Sequence, residues 1–390
     1  MPSRLIDFDG KILGSFRPSL IYLIYLIYLI YLIYPMKSLQ FTFVITLFTA
    51  LFPALQAGTP APKEIVSDPH SSASLWDANR VDSHAPIGVM GDHMHHAGEI
   101  MLSYRYMYMD MRPNYIGSDK VSASSQLSMQ GSGPFQIMPT NMQTQMHMFG
   151  TMYAPTESLT LMAMIPVIDK QMDPLVANGT TFSTATNGIG DFKFGGLVGL
   201  FEKGSTRAHL NLVMSAPTGS IEETGFVPPA GGTIRLPYPM QLGSGTWDFK
   251  PGITWLGQFE NLSWGAQLHG TIRINDNDAG YSLGNEFGAD LWGALRLSDA
   301  ISSSLRLSAT TWGDIEGRDP MIMGPVPTSD PSNQAGERID LFAGLNYHCQ
   351  NGFFKGHRLA IEAGTPIYQN LDGPRLGMDW MVVVGWQKAF

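Results

Sequence analysis

The sequence predicts an all-β fold: a transmembrane antiparallel up-and-down β-barrel of about twelve strands, following a cleaved N-terminal signal peptide. Three observations predict it. First, successive segments from residue 98 to 390 alternate apolar and polar side chains, the period of a strand whose two faces meet different surroundings. Second, the connections between them run long, short, long, short, as in bacterial outer-membrane barrels with short periplasmic turns and longer outer loops. Third, the closing stretch LGMDWMVVVGWQKAF puts Met378, Trp380, Val382, Val384, Trp386, Lys388 and Phe390 on one face, and Gly377, Asp379, Met381, Val383, Gly385, Gln387 and Ala389 on the other. The first face is a lipid-facing band with aromatics near both ends. Trp386 and the terminal Phe390 also have the form of a C-terminal signal for the barrel-assembly machinery.

Composition agrees. Only 15% of residues are charged, 44% are hydrophobic, there are 42 glycines and the formal net charge is -9. A nucleic-acid partner would need a basic face and is excluded. The single cysteine, Cys349, allows neither an internal disulfide nor a Cys-based metal site and is expected as a buried thiol. No cofactor is expected, and the oligomeric state is not legible.

In chain order, residues 1–35 form an upstream extension in which Leu20 to Tyr34 repeat LIY. A period of three fits neither a helix face nor a strand and has the look of a translated short DNA repeat; the alternative is a membrane helix ahead of a second one. Met36-Lys37-Ser38 opens a basic n-region, LQFTFVITLFTALFPAL follows as an apolar h-region, and Leu55-Gln56-Ala57 puts a small residue before Gly58. Residues 36–57 therefore read as a secretory signal peptide, with a mature start at Gly58. Residues 58–97, rich in Pro, Ser, Asp and His without an apolar period, read as a partly flexible periplasmic lead-in.

The barrel, 98–390, has strands expected at about 98–111, 141–154, 159–170, 188–201, 205–216, 245–259, 262–275, 285–298, 301–313, 337–349, 356–368 and 377–390. The cleanest sets Leu262, Trp264, Ala266, Leu268, Ile272 and Ile274 against Ser263, Gln267, His269, Thr271 and Arg273. Its predecessor sets Trp247, Phe249, Ile253, Trp255 and Phe259 against Asp248, Lys250, Thr254 and Gln258. The long connections are 112–140, 171–187, 217–244, 276–284, 314–336 and 369–376. An even strand number puts both termini in the periplasm.

Four motifs carry a family resemblance: Gly188-Ile189-Gly190-Asp191-Phe192, GSGTWDFKPGITWLGQ at 243–258, APIGVMGDHMHHAGEIMLSYRYM at 85–107 and YQNLDGPRLGMDWM at 368–381. In these the chain resembles the MetA-pathway of phenol degradation family, outer-membrane proteins described as transporters, over about 85–390. The resemblance implies a barrel in the outer membrane of a Gram-negative bacterium and a link to hydrophobic or aromatic compounds. It implies no catalytic residues.

Inward-facing polar residues are the candidate lumen lining: Arg105, Asp191, Lys193, Arg207, His209, Asp248, Lys250, His269, Arg273, Glu286, Asp290, Arg296, Arg338, Asp340 and Glu362, together with Arg306 and Asp379. Rings of charge tune selectivity in pores; equally, they hold a wall together as ion pairs. The densest donor cluster is His93, Met94, His95 and His96, with Asp92 before it and His84 nearby, and imidazole with thioether suits copper or zinc. Met101, Met107, Met109 and Met111 share the face of Arg105, and Met162 and Met164 extend it; methionine is equally a flexible apolar filler. An enzyme is not expected, because no G-x-S-x-G motif or nucleophile–base pair stands out. The function read from these residues is an outer-membrane channel passively admitting small hydrophobic or aromatic solutes. The alternatives are soft-metal handling, or a non-transporting barrel with binding or adhesion carried by its loops.

Overall fold

The computed structural model describes residues 76–390; the extension 1–35, the signal peptide 36–57 and the lead-in as far as 75 lie outside the described residues. Eleven long strands form the wall: β1 (Ile100–Gly117), β2 (Ile137–Thr156), β3 (Leu159–Val176), β4 (Phe192–Lys203), β5 (Thr206–Ala216), β6 (Asp248–Gln258), β7 (Leu262–Arg273), β8 (Glu286–Arg296), β9 (Ile301–Trp312), β10 (Gly336–His348) and β11 (His357–Ala389). Each pairs antiparallel with its sequence neighbour, and β11 returns to pair with β1, closing the barrel. Two short strands, Asp119–Val121 and Thr184–Ile189, extend β1 and β3.

β11 crosses the wall twice. Arg358 to Leu371 pair with β10, whereas Arg375 to Ala389 pair with β1, both antiparallel. Because β10 and β1 run in opposite directions, the chain must reverse between these arms, so eleven elements make the twelve crossings that the sequence predicts. The loop expected at 369–376 is thus the tip of a continuous hairpin. Strands β1 to β3 likewise run on into the expected loops 112–140 and 171–187. Beyond the bilayer a ladder needs only backbone pairing, so apolar alternation fades while the strand continues.

The outer face exposes Leu161, Ile165, Leu212, Leu305, Leu341, Ile361 and Val384, and the inner face buries Ser103, Thr160, Asn211, Thr254, Gln267, Ser304 and Gln387. Tyr153, Phe201 and Tyr347 are exposed toward the short-turn end, and Phe194, Trp247 and Trp380 toward the other, the two aromatic girdles of a membrane barrel. The alternation fails once in the closing stretch. A register shift beside Asp110 and Met111 turns Met378 inward, 3% exposed, and leaves Asp379 on the outside, the reverse of the expected faces. For a midstrand position on β7, Leu268→Arg should lower stability of the inserted barrel by roughly 2–4 kcal/mol. Urea titration in lipid vesicles checks this; a cost near zero would mean that the residue does not face lipid.

The periplasmic reading of the lead-in does not hold for its described part. From Trp76 to His95 the chain runs inside the barrel, with Val81, Asp82, Ala85, Ile87, Val89, Asp92, His93 and His95 all buried. It crosses near the short-turn end, where Ser263 Oγ donates to Asp82 O (2.5 Å), Ser302 Oγ to Val81 O (3.4 Å) and Gln258 Nε2 to Asp77 O (3.0 Å). It then climbs to mid-lumen, where Gln267 Nε2 donates to Met90 O (3.0 Å), and His95 N finally reaches Thr160 Oγ1 (3.1 Å). At the other end, the loops fold over the mouth. A hairpin of Thr224–Val227 with Gly232–Arg235 stands there, Tyr238 packs edge-on to Tyr281 at 5.0 Å, and Lys170 Nζ donates to Pro239 O and Gln241 O.

Candidate functional site: the occluded lumen

The interior is built around the plug segment. Glu362 on β11 is 1% exposed and accepts from Arg306 Nε (2.8 Å) and Nη2 (3.0 Å). Arg306 Nη1 donates to Asp290 Oδ1 (2.8 Å), and Asp290 lies 3.2 Å from His269 Nε2. The plug caps this group by donating Gly88 N to Glu362 Oε2 (2.9 Å). A side chain at Gly88 would collide with it, since an added Cβ would stand 2.3 Å from the Glu362 carboxylate. Four wall strands, β7, β8, β9 and β11, and the plug thus share one network, and fully satisfied networks of this kind specify a single arrangement.

Other expected lining residues also serve the plug. His209 Nε2 and Asn211 Nδ2 contact Gly91 O at 2.9 and 3.0 Å; Gly91 takes a left-handed φ of +60°, which suits glycine. The Arg207 guanidinium lies 4.1 Å over the Trp76 ring, a cation–π contact. Arg358, absent from the expected set, donates to Ala78 O (3.2 Å), Arg80 O (3.0 Å) and Ser83 Oγ (3.3 Å). Arg105 is buried and, with Asp92 and His93, lines a gap of about 10 Å³. The methionine wall is an apolar cushion: Met101, Met148, Met152, Met162 and Met164 pack with Leu197 and Val213, and Met90 and Met94 of the plug lie against them. Trp292 seats Ala85 and Val89.

The remaining charges have other work. Asp248 pairs with Arg273, Lys250 Nζ donates to Thr271 Oγ1, and Arg338 Nε donates to Asp340 Oδ2 (2.8 Å). Lys193 stands in the field of Glu286, Asp191 and Asp248. Asp191 is less a lining residue than a loop anchor, accepting from Gly219 N (2.9 Å) and Ser244 N (2.8 Å). Arg296 lies at the short-turn rim, 3.4 Å from Asn261 Oδ1. Of the expected donor cluster, His93 and His95 are buried, whereas Met94 packs on the wall and His96 is exposed, 3.2 Å from Glu157. Cys349 is half-buried in a turn, its Sγ 3.3 Å from Asn351 O, rather than buried. Trp386 Nε1 donates to His357 Nδ1 (2.9 Å), and Phe390 exchanges backbone hydrogen bonds with Ile100.

Above the plug lies a cavity of about 80 Å³, lined by Met111, Met142, Met172, Trp312, Arg338 and Arg375 among others. The Arg375 guanidinium is 5.5 Å from the Trp312 ring centroid, and its Nη1 donates to Gln334 O. Neither the plug nor Arg375 stood out in the sequence: the plug's buried Ala85, Ile87 and Val89 sit among Pro, Gly, Asp and His that suggest solvent.

A closed antiparallel barrel with an apolar outer face, aromatic girdles and a charged interior is an outer-membrane β-barrel protein. The family model described as "Putative MetA-pathway of phenol degradation" matches residues 130–320, and the family resemblance of the sequence holds over that span. The fold is similar to that of an outer membrane channel from Pseudomonas putida F1, at 13% identity over 77% of this chain and 99% of that one, with a TM-score of 0.53. The β domain of the Bordetella autotransporter BrkA aligns at 12% identity over 75% of this chain and 100% of that one, with a TM-score of 0.38. No curated protein matches the chain.

Proposed function

We propose that this protein is an outer-membrane channel for small aromatic or hydrophobic solutes, closed by its own N-terminal segment in the state described. The observation that carries this reading is the cavity above the plug. Thioethers of Met111, Met142 and Met172 and the Trp312 indole offer an apolar seat for a ring, while Arg338 and Arg375 offer charge to a carboxylate or phenolate, the mix of an apolar pocket with a few placed polar groups. The family description and the similar channel from Pseudomonas putida F1 support it. Passage requires the plug to shift, and its hold on the wall is largely hydrogen bonds to its carbonyls, which water can replace. The reading involves no chemical step.

Proteoliposomes test it. Purified barrel should equilibrate benzoate and phenol faster than empty vesicles, and Arg358→Ala, which removes the donors to Ala78 and Arg80, should raise the rate several-fold. Arg375→Gln should slow benzoate more than phenol. Heat-modifiable migration on gels confirms that each variant is folded. If neither the parent nor Arg358→Ala exceeds empty vesicles, the channel reading fails and a binding role carried by the loops takes its place.

A further inference from the structure

The plug contains an arrangement of side chains that neither its seating nor the channel reading uses. Between His84 and His93 the chain makes a loop that carries Ile87, Gly88 and Val89 to mid-lumen, and the loop's two ends meet at its base. There Asp92 Oδ2 accepts from Ala85 N (2.9 Å) and Asp92 Oδ1 lies 2.9 Å from His93 Nδ1. The rings of His84 and His93 are 3.9 Å apart between centroids, and His95 meets His93 edge-on at 4.8 Å. One donor atom from each of His84, Asp92 and His93 falls within 4.8 Å of the others. His93 and His95 are 4% and 7% exposed.

Beyond the His93 Nδ1–Asp92 contact, ring nitrogens in this group lack hydrogen-bond partners: Nε2 of His93, Nε2 of His95 and Nδ1 of His84, all sealed from solvent. Buried polar atoms normally find partners, because leaving one unsatisfied forfeits its solvation without replacement. Unpartnered nitrogens of His84 and His93, beside the Asp92 carboxylate and with donor atoms of all three within 4.8 Å of one another, describe a set of ligands. We propose that His84, Asp92 and His93, with His95 available as a fourth donor, bind a late first-row divalent cation, zinc or copper, that pins the base of the plug loop.

The donor chemistry selects the ion. Imidazole with one carboxylate suits zinc and copper, which bind four such donors at about 2.0–2.2 Å, and not magnesium or calcium, which want a shell of oxygens. The guanidiniums of Arg105, Arg207 and Arg358 act electrostatically on the group. That disfavours a hard ion held by charge alone and leaves one whose bonds to nitrogen carry the affinity. Glu99 Oε2, 3.2 Å from His95 Nδ1, is placed as the outer carboxylate that orients a ligating histidine. The site includes two residues of the donor cluster read from the sequence, His93 and His95, replaces Met94 and His96 by His84 and Asp92, and stands whether or not the barrel conducts solutes.

The test uses the purified, metal-stripped full barrel in detergent, titrated with zinc and, separately, copper against a chromophoric chelator. One equivalent of at least one ion should bind per barrel. His84→Ala and His93→Ala should each weaken it at least tenfold, and His96→Ala should leave it unchanged. The ion should also slow proteolysis within 76–97 in the parent but not in His84→Ala, a readout independent of conduction. Folding of each variant is read from heat-modifiable migration. Absence of stoichiometric binding of either ion overturns the proposal, as does binding that survives in both His84→Ala and His93→Ala or is lost in His96→Ala.

Discussion

Arg306→Met is expected to destabilise the barrel by about 3–5 kcal/mol, the range for removing one partner of a buried, hydrogen-bonded charge network. Methionine keeps much of the side-chain volume, so the loss is mainly electrostatic. The three side chains Arg306, Asp290 and Glu362 are 5%, 6% and 1% exposed, so neither carboxylate has water to turn to. Without the guanidinium, Asp290 keeps His269 and Glu362 keeps only Gly88 N. The guanidinium also lies 4.1 Å over the Phe342 ring, a contact that is lost with it. The measurement is the urea midpoint of the barrel in lipid vesicles, beside proteolysis within 76–97, which should quicken as the plug loses its central anchor. Adding Glu362→Gln to the same chain should restore part of the loss, because one unpaired buried charge is then gone. A cost below about 1 kcal/mol, the range of exposed pairs, would mean that water reaches the network and that the plug is not anchored there.

Deleting Leu376 to Phe390 should abolish insertion altogether. The descending arm of β11 supplies the partners of β1 from Met101 to Asn114, and Phe390 completes the ladder through Ile100 N to Phe390 O (3.2 Å) and Phe390 N to Ile100 O (2.8 Å). Without the arm, β1 and the ascending arm of β11 both become open edges in lipid, where each unsatisfied backbone group costs several kcal/mol. Fractionation and heat-modifiable migration read the outcome: the truncated chain should be degraded or aggregated in the periplasm. Recovery of a folded, heat-modifiable barrel from the membrane would contradict closure between β1 and β11.

The wall was legible because lipid imposes a rule that acts residue by residue. On β7, Leu262, Trp264, Ala266 and Leu268 alternate with Ser263, Gln267 and Thr271, and the structure turns the second set inward. The same rule misplaced Met378 and Asp379, because a register shift is a property of two paired strands and leaves no mark on one of them. It also shortened β1 to β3, whose outer ends pair beyond the apolar zone.

The amino-acid sequence by itself determined the closed barrel, its twelve crossings and the side of the wall on which most of its residues lie, since alternation and turn length are local properties. Only the tertiary structure decided what the interior does. It took a polar stretch that reads as a solvated leader, seated its Ala85, Ile87 and Val89 on Trp292 and the inner wall, and satisfied its carbonyls with Arg358, Gln267 and His209 from distant strands. It also brought His84 to His93 and Arg306 to Glu362. Such pairings are set by the closure of the barrel around the segment, which places residues far apart in the chain at hydrogen-bonding distance, and no periodicity within either partner encodes them.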